Sequence, residues 1–278
     1  MSACYVSAGR TEQGNVRRQN EDAILLRDDL GLWAVADGLG GHSAGDLASR
    51  MVVDALAALR RDGDLASFVD AIDAQLGQVN QQLRALARAR RVDVIASTVV
   101  VLVHDHDLLL CGWVGDSRAY VFEDGRLQLL TRDHVAGDKD ELTQVGRAQP
   151  AGGALTRAIG ADDALYVDWM VRARRPGQHY LLCADGINKQ LSDDEIAAPC
   201  RREPQSAALV ARLFDTALAC SIPRPARPWP CAWPHGMLCH DHPRSRHDRP
   251  HLAAGRRPYP RTTGPRPCRY ATTAAGCG

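Results

Sequence analysis

Three aspartates stand where an apolar run meets glycine: Asp37 before Gly38, Asp116 after Gly115, and Asp185 before Gly186. The runs leading into them, at 32–36, 108–114 and 180–184, have the composition of buried strands. A carboxylate at such a strand end is held by the sheet, and the adjacent glycine lets the backbone turn and approach a ligand. Carboxylates beside exposed peptide carbonyls are hard oxygen donors, suited to Mg²⁺ or Mn²⁺. One such place reads equally well as a strand-to-helix turn. Three, among strands whose pairing looks antiparallel, suggest carboxylates converging on one sheet edge around cations. Two divalent ions about 3.5–4 Å apart can deprotonate a bridging water and stabilise an in-line displacement at phosphorus. Arg17 or Arg18, in the polar loop at 14–22, would then fork onto phosphate oxygens, with Arg18 otherwise a solvated cation.

Periodicity shows which elements must position these residues. Apolar runs at 3–9 and 22–35 predict strands, with Asp28, Asp29 and Gly31 in a hairpin turn. From Ser43 onward Ala44, Leu47, Ala48, Met51, Val52, Ala55, Leu56 and Leu59 recur at helical spacing. A second helix fits 65–90, and both read as core helices. Strands are expected at 94–103, 108–114, 119–122 and 127–130, the last pair around the Asp124-Gly125 hairpin signal. A charged, glycine-rich surface flap is expected at 133–153, then strands at 165–171 and 180–184 and helices at 192–198 and 204–219.

The chain of 278 residues is 45% hydrophobic, enough for one large core. No apolar run has membrane-spanning length. Nine cysteines without a CxxC pair, and no secretory leader, predict a reducing, cytoplasmic setting. Cys111 and Cys183 fall in apolar strand patterns and read as small core residues. The net charge of +1 hides an asymmetry: residues 221–278 hold ten Arg and two Asp, whereas 1–220 carry an excess of acid. With only two Lys among 34 basic residues, the usage points to GC-rich coding DNA rather than to a function.

Several motifs occur in one order. They are Arg17-x-x-Asn20-Glu21-Asp22, Ala36-Asp37-Gly38-Leu39-Gly40-Gly41-His42, Ala96-Ser97-Thr98, Val114-Gly115-Asp116-Ser117-Arg118-Ala119-Tyr120, Leu130-Thr131-Arg132-Asp133-His134, Thr156-Arg157-Ala158-Ile159-Gly160 and Ala184-Asp185-Gly186-Ile187. In this order residues 5–219 resemble the bacterial metal-dependent type-2C Ser/Thr protein phosphatases, and the chain is similar to their type VI secretion-associated subgroup. The resemblance implies an α+β fold, a four-layer α-β-β-α sandwich of two antiparallel sheets flanked by helices, with two Mn²⁺ or Mg²⁺ ions at one end. It implies that Asp37 bridges the ions, Gly38 offers a carbonyl and Asp185 ligates. Glu21 or Asp22 holds metal-bound water or orients the site, and Arg17 binds the substrate phosphate. Asp116 stands at the position of a third, weaker metal, and His42 is the candidate general acid. Asp116 has a plainer reading as a turn with a local ion pair to Arg118, and Asp133 and His134 read as closing a loop.

The family closes with a helix, an Asp-Asn pair and a last strand. Here Ala219 is followed by Cys220-Ser221-Ile222-Pro223, and no Asp-Asn pair follows. Residues 221–278 contain eleven of the fifteen Pro, so a disordered tail is expected and the final strand and one metal ligand are expected to be missing. This divides the chain into a C-terminally incomplete phosphatase domain at 1–219 and an Arg/Pro-rich tail at 220–278, whose composition suggests a shifted reading frame. Zinc binding at Cys239–His242 and nucleic-acid binding by the basic tail are the competing readings. The expected activity is metal-dependent hydrolysis of phosphoserine and phosphothreonine on proteins, opposing a Ser/Thr kinase, by a monomer without nucleic-acid or membrane partners. The alternatives are an impaired remnant or phosphoprotein-binding pseudo-enzyme, with one metal site weakened, and a stray translation product.

Overall fold

The computed structural model describes residues 6–13, 19–40, 44–136, 154–203, 205–220 and 235–241. In chain order these form β1 (Val6–Glu12), β2 (Asp22–Arg27), β3 (Leu32–Gly40), α1 (Gly45–Ala57), α2 (Leu65–Arg90), β4 (Ile95–Ser97), β5 (Val99–Asp105) and β6 (Leu108–Val114). There follow β7 (Arg118–Glu123), β8 (Arg126–Leu129), β9 (Asp168–Ala173), β10 (His179–Cys183), α3 (Asp185–Asn188), α4 (Asp193–Arg202), α5 (Ser206–Cys220) and β11 (His235–Asp241). The helix expected over 65–90 starts and ends there. Asp64 caps it by accepting from the Ser67 amide at 2.8 Å, and Arg91 ends it in a left-handed conformation. Asp124 and Gly125 both have positive φ, 51° and 76°, as a two-residue hairpin between β7 and β8 requires.

One sheet has the order β1-β11-β10-β7-β8 and the other β2-β3-β5-β6-β9, with β4 extending the pairing of β3. Every ladder is antiparallel. Strand periodicity of two sorts the core into layers. Along β3, Leu32, Ala34 and Ala36 pack with Val52, Leu56, Leu76 and other residues of α1 and α2. Trp33 and Val35 instead join Val121, Tyr180 and Leu182 of the opposite sheet. Leu181 and Cys183 of β10 face Ile196, Leu213 and Phe214 on the outer helices. Three hydrophobic seams therefore separate four layers, helix–sheet–sheet–helix, as expected. Asp37 and Asp22 share the parity of Trp33 and Ile24, so both lie toward the seam between the sheets.

The end of the chain differs from expectation. β11 lies between β1 and β10 and pairs with both, from Val6↔Asp241 to Glu12↔His235 on one side and from His179↔Asp241 to Cys183↔Met237 on the other. The final strand is present. Sheet pairing uses backbone N–H and C=O groups that every non-proline residue carries. Residues 235–241 contain no proline, and Pro234 and Pro243 stand just outside them. Proline density averaged over the whole tail conceals this gap. β11 thus places residues 235–241, beyond the boundary expected at 219, in the sheet, and residues 242–278 lie outside the described residues. The flap residues 137–153 and His242 of the Cys–His cluster also lie outside them. Among the described residues no helix is long and apolar enough to cross a membrane.

Candidate metal centre

Asp22 and Asp37 are directly opposite each other across the β2–β3 pair. Such positions place Cβ atoms about 4.5–5.5 Å apart, where like charges repel. Both are nearly inaccessible, at 7% and 5% exposure. Just beyond, the Gly38 amide donates to the Glu21 carbonyl at 3.0 Å. Gly38 lies against the first residue of α1: a Cβ on it would stand 1.8 Å from the Gly45 carbonyl oxygen, and one on Gly45 would stand 2.6 Å from Glu21 Oε1. Gly38 directly after Asp37 is thus required by close backbone packing. The end of β3, the start of α1 and buried Glu21 meet at one place.

The backbone of Asp37 is fixed from the other side by Ser97 and Thr98. The Asp37 amide donates to Thr98 Oγ1 at 3.1 Å, and the Asp37 carbonyl accepts from the Thr98 amide at 2.8 Å and from Ser97 Oγ at 3.1 Å. Thr98 Oγ1 is in turn 2.7 Å from Ser117 Oγ, beside Asp116. Thr98 interrupts the ladder between β4 and β5, so a side-chain hydroxyl replaces a backbone acceptor here.

Asp116 and Asp185 arrive from different sheets, one following β6 and the other following β10. Both are buried, at 8% and 4% exposure. Lys189 Nζ joins them, 2.6 Å from Asp185 Oδ2 and 3.0 Å from Asp116 Oδ2. Burial opposes the Lys189 charge, but Asp185 and Asp116 outweigh it and hold the ammonium above its ordinary range. Burial pushes the Asp37 carboxyl well above the usual carboxylate range, and the charges of Asp22, Asp185 and Asp116 push the same way. Asp185 is raised as well, by burial first, with Lys189 pulling down and Asp116 pushing up. Its Oδ1 is buried without a hydrogen-bond partner, and the Asp37 carboxyl can bond to this group once one of the two is protonated.

A divalent cation fits this donor set. Crowded carboxylates, of which Asp37 and Asp185 are raised above the usual range, together with an orphaned oxygen, are relieved by positive charge. Among the described residues no three His, Cys, Asp or Glu side chains already close around a single point. An ion here would combine few carboxylates with a peptide oxygen and water, which is how Mg²⁺ is commonly bound.

The structure brings Glu21, Asp22, Asp37, Gly38, Asp116 and Asp185 to one end of the sandwich. Arg17 and His42 lie outside the described residues. Against the plainer reading of a local pair, Arg118 grips Asp133 with Nε at 2.9 Å and Nη2 at 2.8 Å, and Asp116 pairs with Lys189. His134 receives the Gly115 amide on Nδ1 at 3.1 Å and turns Nε2 to Asp168 at 3.1 Å, while its own amide donates to the Gly115 carbonyl. Asp133 and His134 therefore close a loop, and that loop clamps the turn carrying Asp116. Ile159 makes paired backbone bonds with Ser97, and Gly160 (φ 99°) donates to Asn80 Oδ1, bracing β4. Sequence reasoning missed Lys189. Its signal was its rarity, one of two Lys in an Arg-rich chain, four residues after a candidate ligand.

With this geometry in view, the comparisons agree. The profile described as Protein phosphatase 2C matches residues 12–222, and the chain belongs to that family. It is 30% identical over 217 residues to the serine/threonine protein phosphatase PstP of Mycobacterium tuberculosis, covering 76% of this chain. The chain spans only 41% of the length of that curated relative. The structure of PppA, described as a key regulatory component of T6SS in Pseudomonas aeruginosa, superposes with TM-score 0.75 at 32% identity, covering 86% of this chain and 98% of that one. The catalytic domain of PstP in complex with two manganese ions superposes with TM-score 0.71 at 29% identity, covering 85% and 97%.

Proposed function

We propose that this chain hydrolyses phosphoserine and phosphothreonine on proteins, opposing a Ser/Thr kinase, with a metal centre weaker than that of its relatives. The observation that carries the reading is the buried opposition of Asp22 and Asp37 beside Asp185. The manganese ions of PstP support Mn²⁺ as the ion, with Mg²⁺ the alternative. Asp37 and Asp185 would hold it with the Gly38 carbonyl, and Glu21 and Asp22 would accept hydrogen bonds from surrounding water. When bound, the metal supplies Lewis-acid stabilisation of the phosphoryl oxygens and a nucleophilic water at neutral pH. Ser97 and Thr98 keep the Asp37 peptide in place for that role. Arg17 forks onto the substrate phosphate, and His42 donates the proton that the leaving seryl or threonyl oxygen needs. PppA's part in type VI secretion supports a regulatory phosphoprotein as the substrate.

The weakness follows from the carboxylate missing ahead of β11. Residues 221–234 contain no Asp or Glu. Asp241 does not replace it, because it pairs with His179, at the opposite end of β10 from Cys183 and Asp185. One ion is left a ligand short, which favours binding of phosphoprotein without turnover as the second reading. Mn²⁺-dependent release of phosphate from a phosphothreonine peptide, abolished by Asp37→Asn, is the expected result. Peptide binding without release at any Mn²⁺ concentration would select the second reading. The composition after Ala219 supports a shifted reading frame near codon 220. An Asp-Asn pair followed by strand-like sequence in another frame is the expected finding there, and its absence rejects the shift.

A further inference from the structure

We propose that the Lys189 ammonium is a built-in cation that takes the place of a metal ion between Asp116 and Asp185. Those two carboxylates come from different sheets, and Lys189 Nζ contacts Oδ2 of both, at 3.0 and 2.6 Å. These are the contacts a bridging cation makes, here supplied by a side chain tethered at the end of α3. Lys189 lies four residues after Asp185, one helical turn on, so the chain itself holds the charge in position. Residue type supports the reading. The chain uses Arg for 32 of its 34 basic residues, yet Lys stands here. A guanidinium is a wide planar fork, whereas an ammonium is a compact point charge that fits between two single oxygens.

Two consequences follow. Asp116 becomes a positioning residue that anchors Lys189, rather than the ligand of an ion as the sequence resemblance implied. Asp185 has Oδ2 engaged by Lys189 and only its orphaned Oδ1 left to share with Asp37 toward a metal. The centre then holds one ion fewer than its carboxylate count suggests.

The inference rests on the reading of Asp37 and Asp185 as metal ligands, and counting bound ions separates the two. Mn²⁺ is titrated calorimetrically into the full chain as wild type, Lys189→Met, Lys189→Ala, Lys189→Arg and Lys189→Met with Asp116→Asn, each checked for fold by circular dichroism. The expected result is one additional ion per chain in Lys189→Met and Lys189→Ala. Lys189→Arg fits the two oxygens less well but keeps a positive charge beside them that repels a metal ion, so it gains none, and the double variant loses the gain. Equal, non-zero counts in wild type and both neutral variants overturn the Lys189 inference alone, as does a gained ion that survives Asp116→Asn. Absence of Mn²⁺ binding in every folded variant overturns the metal reading and the inference with it. Should the neutral variants fail to fold even with Mn²⁺ present, the ion has not replaced the ammonium and the inference fails.

Discussion

Asp37→Asn should stabilise the metal-free chain while destroying its response to metal. Asp37 and Asp22 face each other in buried positions. Two full charges about 5 Å apart, at an effective dielectric near 20, repel by about 3 kcal/mol. A proton relieves part of this, which is why the Asp37 carboxyl is raised, by burial first and then by Asp22, Asp185 and Asp116. The sign follows from linkage. An unfolded aspartate titrates near about 3.9, and the folded one higher, so between those values the native state binds more protons and loses stability as pH rises. Asparagine has no such slope. In EDTA the variant should match wild type near pH 4 and exceed it by about 1–3 kcal/mol at pH 8, the range left once protonation limits the repulsion. Mn²⁺ at a hundredfold excess over its Kd should then raise wild type by about 2.7 kcal/mol and leave the variant unmoved. Urea denaturation with and without Mn²⁺ at both pH values measures all four quantities. A variant less stable than wild type in EDTA at pH 8 refutes the reasoning, because the carboxylate would then be contributing to the fold without a cation.

The other expectations concern the surroundings of the same aspartate. Gly38→Ala forces a methyl group to within 1.8 Å of the Gly45 carbonyl, so a loss of at least about 1–3 kcal/mol is expected in thermal or urea unfolding; an unchanged midpoint contradicts the packing described. Thr98→Val leaves the Asp37 amide without its side-chain acceptor and Ser117 without its partner, at a cost of about 1–3 kcal/mol. Phosphatase activity should fall by more than the unfolded fraction explains. Apparent Mn²⁺ affinity should rise with pH, because the ion displaces a proton held by Asp37; below the folded pKa the gain approaches about tenfold per unit. A titration series that begins at the lowest pH where the chain stays folded and shows flat affinity contradicts it.

Local pattern carried much of the fold. The α2 stripe, the Asp124-Gly125 turn and the alternation along β3 depend on spacings of three to four or two, which a reader of the chain sees directly. The strand expected at 94–103 was seen whole, but its break at Thr98 was not, because the break exists only to serve the Asp37 peptide 61 residues away. β11 was missed for the converse reason. Nothing in His235–Asp241 alternates strongly, and its place is set by the gap between β1 and β10. Sheet pairing there is a demand of the neighbours more than a preference of the segment.

The three aspartates at the strand ends, Asp37, Asp116 and Asp185, mark the same division. Their residue types and their glycine neighbours were enough to nominate oxygen-donor chemistry at the strand ends, and the ordered motifs around them to nominate the family. Which of them act on one another was a matter of register and layer. Asp22 opposes Asp37 because β2 and β3 pair as they do. Asp116 and Asp185 meet because two sheets stack, and Lys189 separates them because α3 turns its fourth following residue back over Asp185. Electrostatic coupling depends on distance through space, and for residues separated by 73 positions along the chain only the packed fold sets that distance.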